Sequence, residues 1–150
     1  EISCSLVGSE MCIRDSIIVG FPGETEEEFN KTYQFLKEIK FYKMHVFKYS
    51  PRKGTKAAQM KHQIDGNKKE ERSQKLIELS NENERNYNKQ YIGKNVEVLF
   101  EEEKDGNYKG HTSNYILAHL TKEDTRNKME NKIVKVKCMD AKGNHIIVEM

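Results

Sequence analysis

Ile17-Ile-Val-Gly-Phe-Pro-Gly-Glu-Thr-Glu-Glu-Glu-Phe29 decides the fold of this chain. Ile17 to Val19 is a short, unbroken apolar run, the pattern of a strand covered on both faces. Gly20, Pro22 and Gly23 interrupt it. Thr25 offers an N-cap hydroxyl and Glu28 stands three residues on, the spacing of a capping box. Glu26, Glu27 and Glu28 suit the positive end of a helix dipole. Phe29, Tyr33, Leu36 and Ile39 recur at helical spacing, which gives the helix one apolar face, and Lys37 and Lys40 close its last turn. The stretch is therefore a strand-loop-helix unit. Its loop sits at the carboxyl end of the strand, where α/β folds put their ligand chemistry.

Met44-His-Val-Phe-Lys-Tyr49 supplies the next strand. Strand, helix and strand in succession predict a βαβ unit and a parallel sheet. The second strand runs into Ser50-Pro-Arg-Lys-Gly-Thr55, another turn-rich loop, which opens on the same side as the first. Two strands are too few to close a sheet, so further strands are expected upstream of residue 16. Ala57 to Lys61 reads as a short helix and Gln63 to Asn67 as a turn. Lys68 to about Tyr91 reads as a long polar helix. Leu76, Ile77, Leu79 and Tyr87 give it only a thin apolar stripe, consistent with a helix connecting two bodies, and Gly93 ends it.

Beyond Gly93 the period becomes strand-like. Val96, Leu99 and Phe100 begin a strand and Asp105-Gly106-Asn107 signals a hairpin turn. Tyr108 to Thr112 and Tyr115 to Leu120 follow. A polar stretch, Thr121 to Asn131, precedes the alternating Ile133-Val-Lys-Val-Lys-Cys138. Lys142-Gly143-Asn144 then turns into a last strand, His145 to Glu149. Five short strands in succession predict a small closed barrel of the OB kind.

Composition bounds the function. Of 150 residues 35% are hydrophobic and 33% charged, and the mean hydropathy is −0.89. The apolar runs are too short for a transmembrane helix. A net charge of +2 names no partner. Cys4, Cys12 and Cys138 are odd in number and lack the spacing of a disulfide framework or a metal-wrapping loop, so no zinc or iron–sulfur site is expected. Cys138 reads as a small packed hydrophobe. Residues 1–16, with Ser5-Leu-Val-Gly-Ser-Glu-Met-Cys-Ile-Arg-Asp15 at their centre, resemble translated sequencing-adapter read-through and lack the ordered regions of a secretory signal. They are read as a non-native segment, which makes the chain a fragment whose beginning is missing.

Gly20 and Gly23 could let backbone N–H groups approach a ligand; a tight turn without a ligand is the alternative. Glu24 is expected to be exposed, facing a ligand amine or hydroxyl or simply extending the acidic first turn. Between Glu38 and Asp65 there is no acidic residue, and Lys40, Lys43, Lys48, Arg52, Lys53, Lys56 and Lys61 give that window a charge of +7. Arg52 could fork onto a carboxylate or phosphate, and the lysines could act as diffuse charge toward a polyanion; a solvated face is the plain reading. The barrel segment, by contrast, has ten basic and ten acidic residues and balances to zero. Within it Gly110-His-Thr-Ser-Asn-Tyr115 offers an aromatic with hydrogen-bonding neighbours that could stack on or grip RNA.

Four separated motifs in order resemble the tRNA methylthiotransferases of the radical S-adenosylmethionine (SAM) superfamily. They are Ile17–Phe29; His45-Val-Phe-Lys-Tyr-Ser-Pro-Arg-Lys-Gly-Thr55 with Ala57, Ala58 and Met60; Glu71-Arg-Ser with Leu76-Ile-Glu-Leu-Ser80; and Gly110–Tyr115. The His-Val-Phe and Ser-Asn-Tyr forms look most like the branch acting on N6-threonylcarbamoyladenosine at position 37 of tRNA. The isopentenyladenosine branch is the close alternative, and the ribosomal-protein branch a more distant one. A non-catalytic RNA-binding module and a cluster-free nucleotide-binding domain are the readings from other classes.

The resemblance implies an α/β plus β architecture. Residues 17–65 would be the C-terminal βαβ part of a radical SAM partial TIM-like barrel, 66–92 a connecting helix and 93–150 a TRAM RNA-binding β-barrel. It implies a SAM cofactor and two [4Fe-4S] clusters whose ligands lie outside this chain. In the family, SAM cleaved at one cluster yields a radical that attacks C2 of the modified adenine, and sulfur is then inserted and methylated. Ile18, Gly20, Pro22, Gly23, Glu24, Tyr49, Ser50 and Arg52 would lie on the cofactor side. Lys53, Lys56, Lys109, Thr112, Asn114 and Tyr115 would face RNA, with the tRNA anticodon stem-loop as partner. No residue here would be catalytic, so the isolated chain is expected to be inactive. A cytoplasmic monomer without membrane contact is expected. The superfamily's usual glycine before the first strand is Ser16 here.

Overall fold

The computed structural model describes residues 14–104, 106–121 and 128–150. Cys4, Cys12, most of the adapter-like segment, Asp105 of the hairpin turn and residues 122–127 of the polar stretch lie outside the described residues. The chain divides into two compact units, the first ending at Asn83 and the second running from Glu84 to Met150.

In the first unit the βαβ reading holds. β1 (Arg14–Val19) and β2 (Lys43–Lys48) pair in parallel, with α1 (Glu26–Ile39) between them. β1 begins three residues earlier than its apolar run, because main-chain pairing of Arg14 with Lys43 and of Ser16 with His45 asks nothing of the side chains. Thr25 and Glu28 form the expected reciprocal capping box. Lys40 ends the helix in the left-handed conformation with φ 57° and returns its N–H to Leu36. α2 (Lys56–Gln59) is one turn, capped by Thr55. α3 (Gly66–Lys89) starts two residues before the expected point, where the Asp65 carboxylate accepts from the Asn67 N–H.

Val19, Phe29, Leu36, Phe41, Met44, Leu76 and Leu79 make the core of this unit. The stripe on α3 looked thin because polar residues complete it: Arg72, Ser73 and Ser80 are buried beside Leu76 and Leu79. Ser80 Oγ accepts from the Met44 N–H at 2.9 Å. The expectation that the first strand is covered on both faces is not met. Ile17, Val19, Met44 and Val46 face the core, whereas Ile18 and its register partner Phe47 are 59% and 55% exposed. The helices of this unit cover one face of the pair and a parallel sheet normally needs two covers.

The second unit is a closed five-stranded barrel. β3 (Asn95–Lys104), β4 (Asn107–Thr112), β5 (Leu117–Thr121), β6 (Lys132–Lys142) and β7 (His145–Glu149) close in the order β3-β4-β5-β7-β6. All pairs are antiparallel except β5–β7. Val98, Phe100, Tyr108, Ala118, Leu120, Val136, Cys138, Ile146 and Val148 fill the interior from alternate positions. The Cys138 thiol is buried and free, as its strand pattern predicts, and burial pushes its pKa up. Two bulges, at Phe100/Glu102 and Cys138/Asp140, bend the long strands enough to close the barrel. Gly110 lets β4 pass close to β3, since a Cβ there would stand 2.1 Å from the Leu99 carbonyl oxygen.

Candidate functional site

The loop after β1 is built around Gly20. Its φ of 73° favours glycine, and its α-carbon is covered by the stem of Lys69, whose Cγ would lie 2.4 Å from any Cβ. Lys69 Nζ continues to the Tyr49 ring, 5.3 Å from its centroid. Phe21 meets the same ring edge-on at 5.3 Å. Tyr49 in turn donates its N–H to the Val19 carbonyl at 2.8 Å, so the loops after β1 and β2 are tied together at the carboxyl edge of the sheet. The Tyr49 hydroxyl is buried and has no hydrogen-bond partner. A buried hydroxyl of this kind is costly unless something pairs with it.

Glu24 is not the exposed ligand group expected from the sequence. Its Oε2 accepts from the Gly20 N–H at 2.7 Å and from Arg72 Nη1 at 2.6 Å. Arg72 Nη1 also donates to the Glu24 carbonyl oxygen at 3.0 Å, and Nη2 reaches Glu26 Oε2 at 3.2 Å. The Arg72 side chain is 3% exposed and lies against the Phe29 ring. Lys68 adds a second cation on Glu26 at 2.9 Å. The hydrogen bonds from Lys68 and then Arg72 hold the Glu26 carboxyl below the usual carboxylate range. The carboxylate of Glu24 thus pins the loop to α3. No local signal marked it, because the residues that meet are 48 positions apart.

Of the other cofactor-side candidates, Ile18 lies on the uncovered sheet face, Pro22 is buried, and Gly23 donates its N–H to the His62 carbonyl at 3.0 Å. Ser50, Arg52, Lys53 and Lys56 are exposed along the second loop. Thr55 bonds back to the Arg52 carbonyl through its hydroxyl at 2.8 Å, which sets the turn. The basic window is less bare than its sequence: Lys48 pairs with Glu70 of α3.

In the barrel, Thr112 and Asn114 serve the turn itself. The Thr112 hydroxyl donates to Asn114 Oδ1 at 2.6 Å and accepts from the Ile116 N–H at 3.0 Å. Asn114 Nδ2 donates to the hydroxyls of Tyr91 at 2.7 Å and Tyr87 at 3.2 Å. Tyr115 belongs to this turn and not to the following strand; its φ is 63° and it is 63% exposed. A buried threonine and a half-buried asparagine therefore anchor a turn that holds one aromatic ring out to solvent. Lys109 is apart from them, on the outer face of β4 opposite His119.

Among the described residues no three His, Cys, Asp or Glu side chains converge on a point that could hold a metal ion, so they do not fit a cluster ligand set. Among the described residues no helix is long and apolar enough to cross a membrane.

No family model matches the chain. Curated proteins do. The chain is 44% identical over 137 residues to the threonylcarbamoyladenosine tRNA methylthiotransferase MtaB of Bacillus subtilis, an alignment covering 87% of this chain and 30% of that protein. It is 38% identical over 140 residues to the tRNA-2-methylthio-N(6)-dimethylallyladenosine synthase of Ehrlichia ruminantium, covering 92% of this chain and 31% of the relative. Over 98 residues, 65% of the chain, it is 45% identical to the ribosomal protein uS12 methylthiotransferase RimO of Clostridium botulinum, 22% of whose length is matched. The chain spans less than a third of the length of these relatives. Identity at this level, spread across both the glycine-loop unit and the barrel, makes the chain a homologue of the radical SAM methylthiotransferases.

Proposed function

We propose that this chain supplies the SAM-side loops and the RNA-binding barrel of a methylthiotransferase acting on C2 of N6-threonylcarbamoyladenosine at position 37 of tRNA. The observation that carries the substrate is the 44% identity to a threonylcarbamoyladenosine enzyme over most of the chain. SAM when bound supplies radical and methyl chemistry that no side chain here can supply. The residues of this chain bind and orient. Ile18, Gly20, the Pro22–Glu24 turn, Tyr49, Ser50 and Arg52 form the cofactor side. The unpartnered Tyr49 hydroxyl beside the Phe21 ring suits a ligand with both a polar edge and an apolar face, as a nucleoside has. Glu24 acts there through the loop it fixes, with Arg72 as a positioning residue.

The barrel is the TRAM-type RNA module of this reading. Tyr115 is the stacking residue, with Thr112 and Asn114 holding its turn and Lys53, Lys56 and Lys109 meeting phosphates. Base stacking on an exposed ring is worth roughly 1–3 kcal/mol per base. The 45% identity to a ribosomal-protein enzyme favours a second reading, in which the partner surface is protein. Fluorescence anisotropy of this chain with a tRNA anticodon stem-loop separates the two. Binding that weakens at least about fivefold in Tyr115→Ala supports the stacking role. Binding to a uS12 peptide, with none to the stem-loop, would reject the tRNA reading.

A further inference from the structure

The outer face of the barrel gathers four basic side chains from four adjacent strands. His119 on β5 and His145 on β7 stack ring on ring, with centroids 4.1 Å apart and planes 18° from parallel. Lys109 on β4 stands directly across from His119, and Lys142 on β6 directly across from His145. The neighbours of these residues along each strand, Tyr108, Ala118, Leu120 and Ile146, point inward and are buried, so the four share the outer face. His119 Nε2 is buried without a hydrogen-bond partner. His145 Nδ1 has only Asn144 Oδ1 at 3.3 Å.

Glu102 of β3 stands directly across from Lys109, but among the described residues no carboxylate is bonded to any of the four side chains. His111, the next outward residue on β4, is bound to Glu101 at 2.7 Å. Asp140 lies across from Ile147 with its carboxylate on the Ala141 N–H, and Glu149 stands opposite Lys137. Both imidazoles are held below the usual histidine value. Burial is the main cause for His119, followed by His145 and Lys109. Burial again leads for His145, followed by Lys142 and Lys109. Two imidazoles whose charge is disfavoured by burial, set between two lysines, form a site suited to an anion, and an arriving anion would favour their charged form.

We propose that Lys109, His119, His145 and Lys142 form a phosphate-binding site on the outer face of the barrel, and that its ligand is the RNA backbone. Lys109 shares β4 with Thr112, but His119, His145 and Lys142 stand on β5, β7 and β6, so the turn stacks a base while the strands grip the chain that carries it. The RNA identity rests on the tRNA-binding reading above; the anion site itself does not. Because the phosphate favours imidazolium, binding takes up protons and must strengthen as pH falls.

The test is a titration of the His119 and His145 ring protons by NMR in this chain, alone, with the anticodon stem-loop and with inorganic phosphate. It is paired with stem-loop affinity at pH 6 and pH 8. Both imidazole pKa values should rise with RNA. Affinity should be higher at pH 6 than at pH 8, by up to about tenfold for each imidazole whose pKa rises by one unit. His119→Gln with His145→Gln should flatten that dependence. Lys109→Gln with Lys142→Gln should lower the salt dependence of binding by about two contacts. Stem-loop binding with unmoved imidazoles and an unchanged salt slope would overturn the site. If the stem-loop fails to bind but inorganic phosphate still raises both pKa values, the anion site stands and the RNA reading falls. If neither ligand moves the imidazoles, the site is wrong.

Discussion

Arg72 does for this chain what its local sequence does not advertise. It takes a side chain that reads as a surface helix residue into the core and directs Nη1 and Nη2 to Glu24 and Glu26, while Nε is buried without a partner. Removing it would leave the Glu24 carboxylate part-buried with only the Gly20 N–H. Arg72→Met should therefore cost about 2–4 kcal/mol, near the lower end for a broken buried pair because Glu24 retains some solvent. Urea unfolding measures this, and amide exchange at Gly20 should quicken with it. A loss under about 0.5 kcal/mol would mean that the loop holds its shape without the arginine. Glu24 and Arg72 are 48 residues apart, and no local pattern joins them. That is why the sequence placed Glu24 in solvent. The Thr25–Glu28 box, three residues apart, was legible and is present.

At the scale of elements, periodicity carried the reading and pairing corrected it. The barrel strands were visible because their interiors alternate: Val98 and Phe100, Ala118 and Leu120, Ile146 and Val148. The sequence could not show which strands adjoin, and so it missed that β5 lies beside β7 and brings His119 onto His145. It also missed the demand on Gly110, which comes from the backbone of β3. Gly110→Ala must push Leu99 and Phe100 aside, so a loss at or above the roughly 3 kcal/mol of severe overpacking is expected, read as the melting of barrel circular dichroism. Acid should act on the two units in sequence. The folded pKa values of His119 and His145 lie below their ordinary 6.5, so the barrel holds stability above 6.5 that is lost as pH falls through those depressed values. Glu26, Glu28, Glu70 and Glu71 are depressed from 4.5, so the first unit weakens only below that. Thermal melts between pH 7 and pH 3, followed by probes in each unit, should show the barrel weakening first.

Over the whole chain, two units with separate cores carry different parts of one reading. The first holds a parallel strand pair whose Ile18–Phe47 face is uncovered and whose loops meet at Tyr49. The second holds a closed barrel with an exposed tyrosine on an anchored turn and a basic cluster on its flank. The family was legible because its motifs recur in order along the chain. The substrate is harder to read, since relatives named for two modified adenosines and for a ribosomal protein share between 34% and 47% identity with it. The most direct measurement is an exchange. This chain replaces the matching segment of the Bacillus subtilis threonylcarbamoyladenosine enzyme in a strain lacking tRNA methylthiotransferases, and tRNA nucleosides are read by mass spectrometry. The account predicts 2-methylthio-N6-threonylcarbamoyladenosine. A soluble, cluster-loaded chimera that leaves that nucleoside unmodified, or that methylthiolates isopentenyladenosine instead, would contradict it.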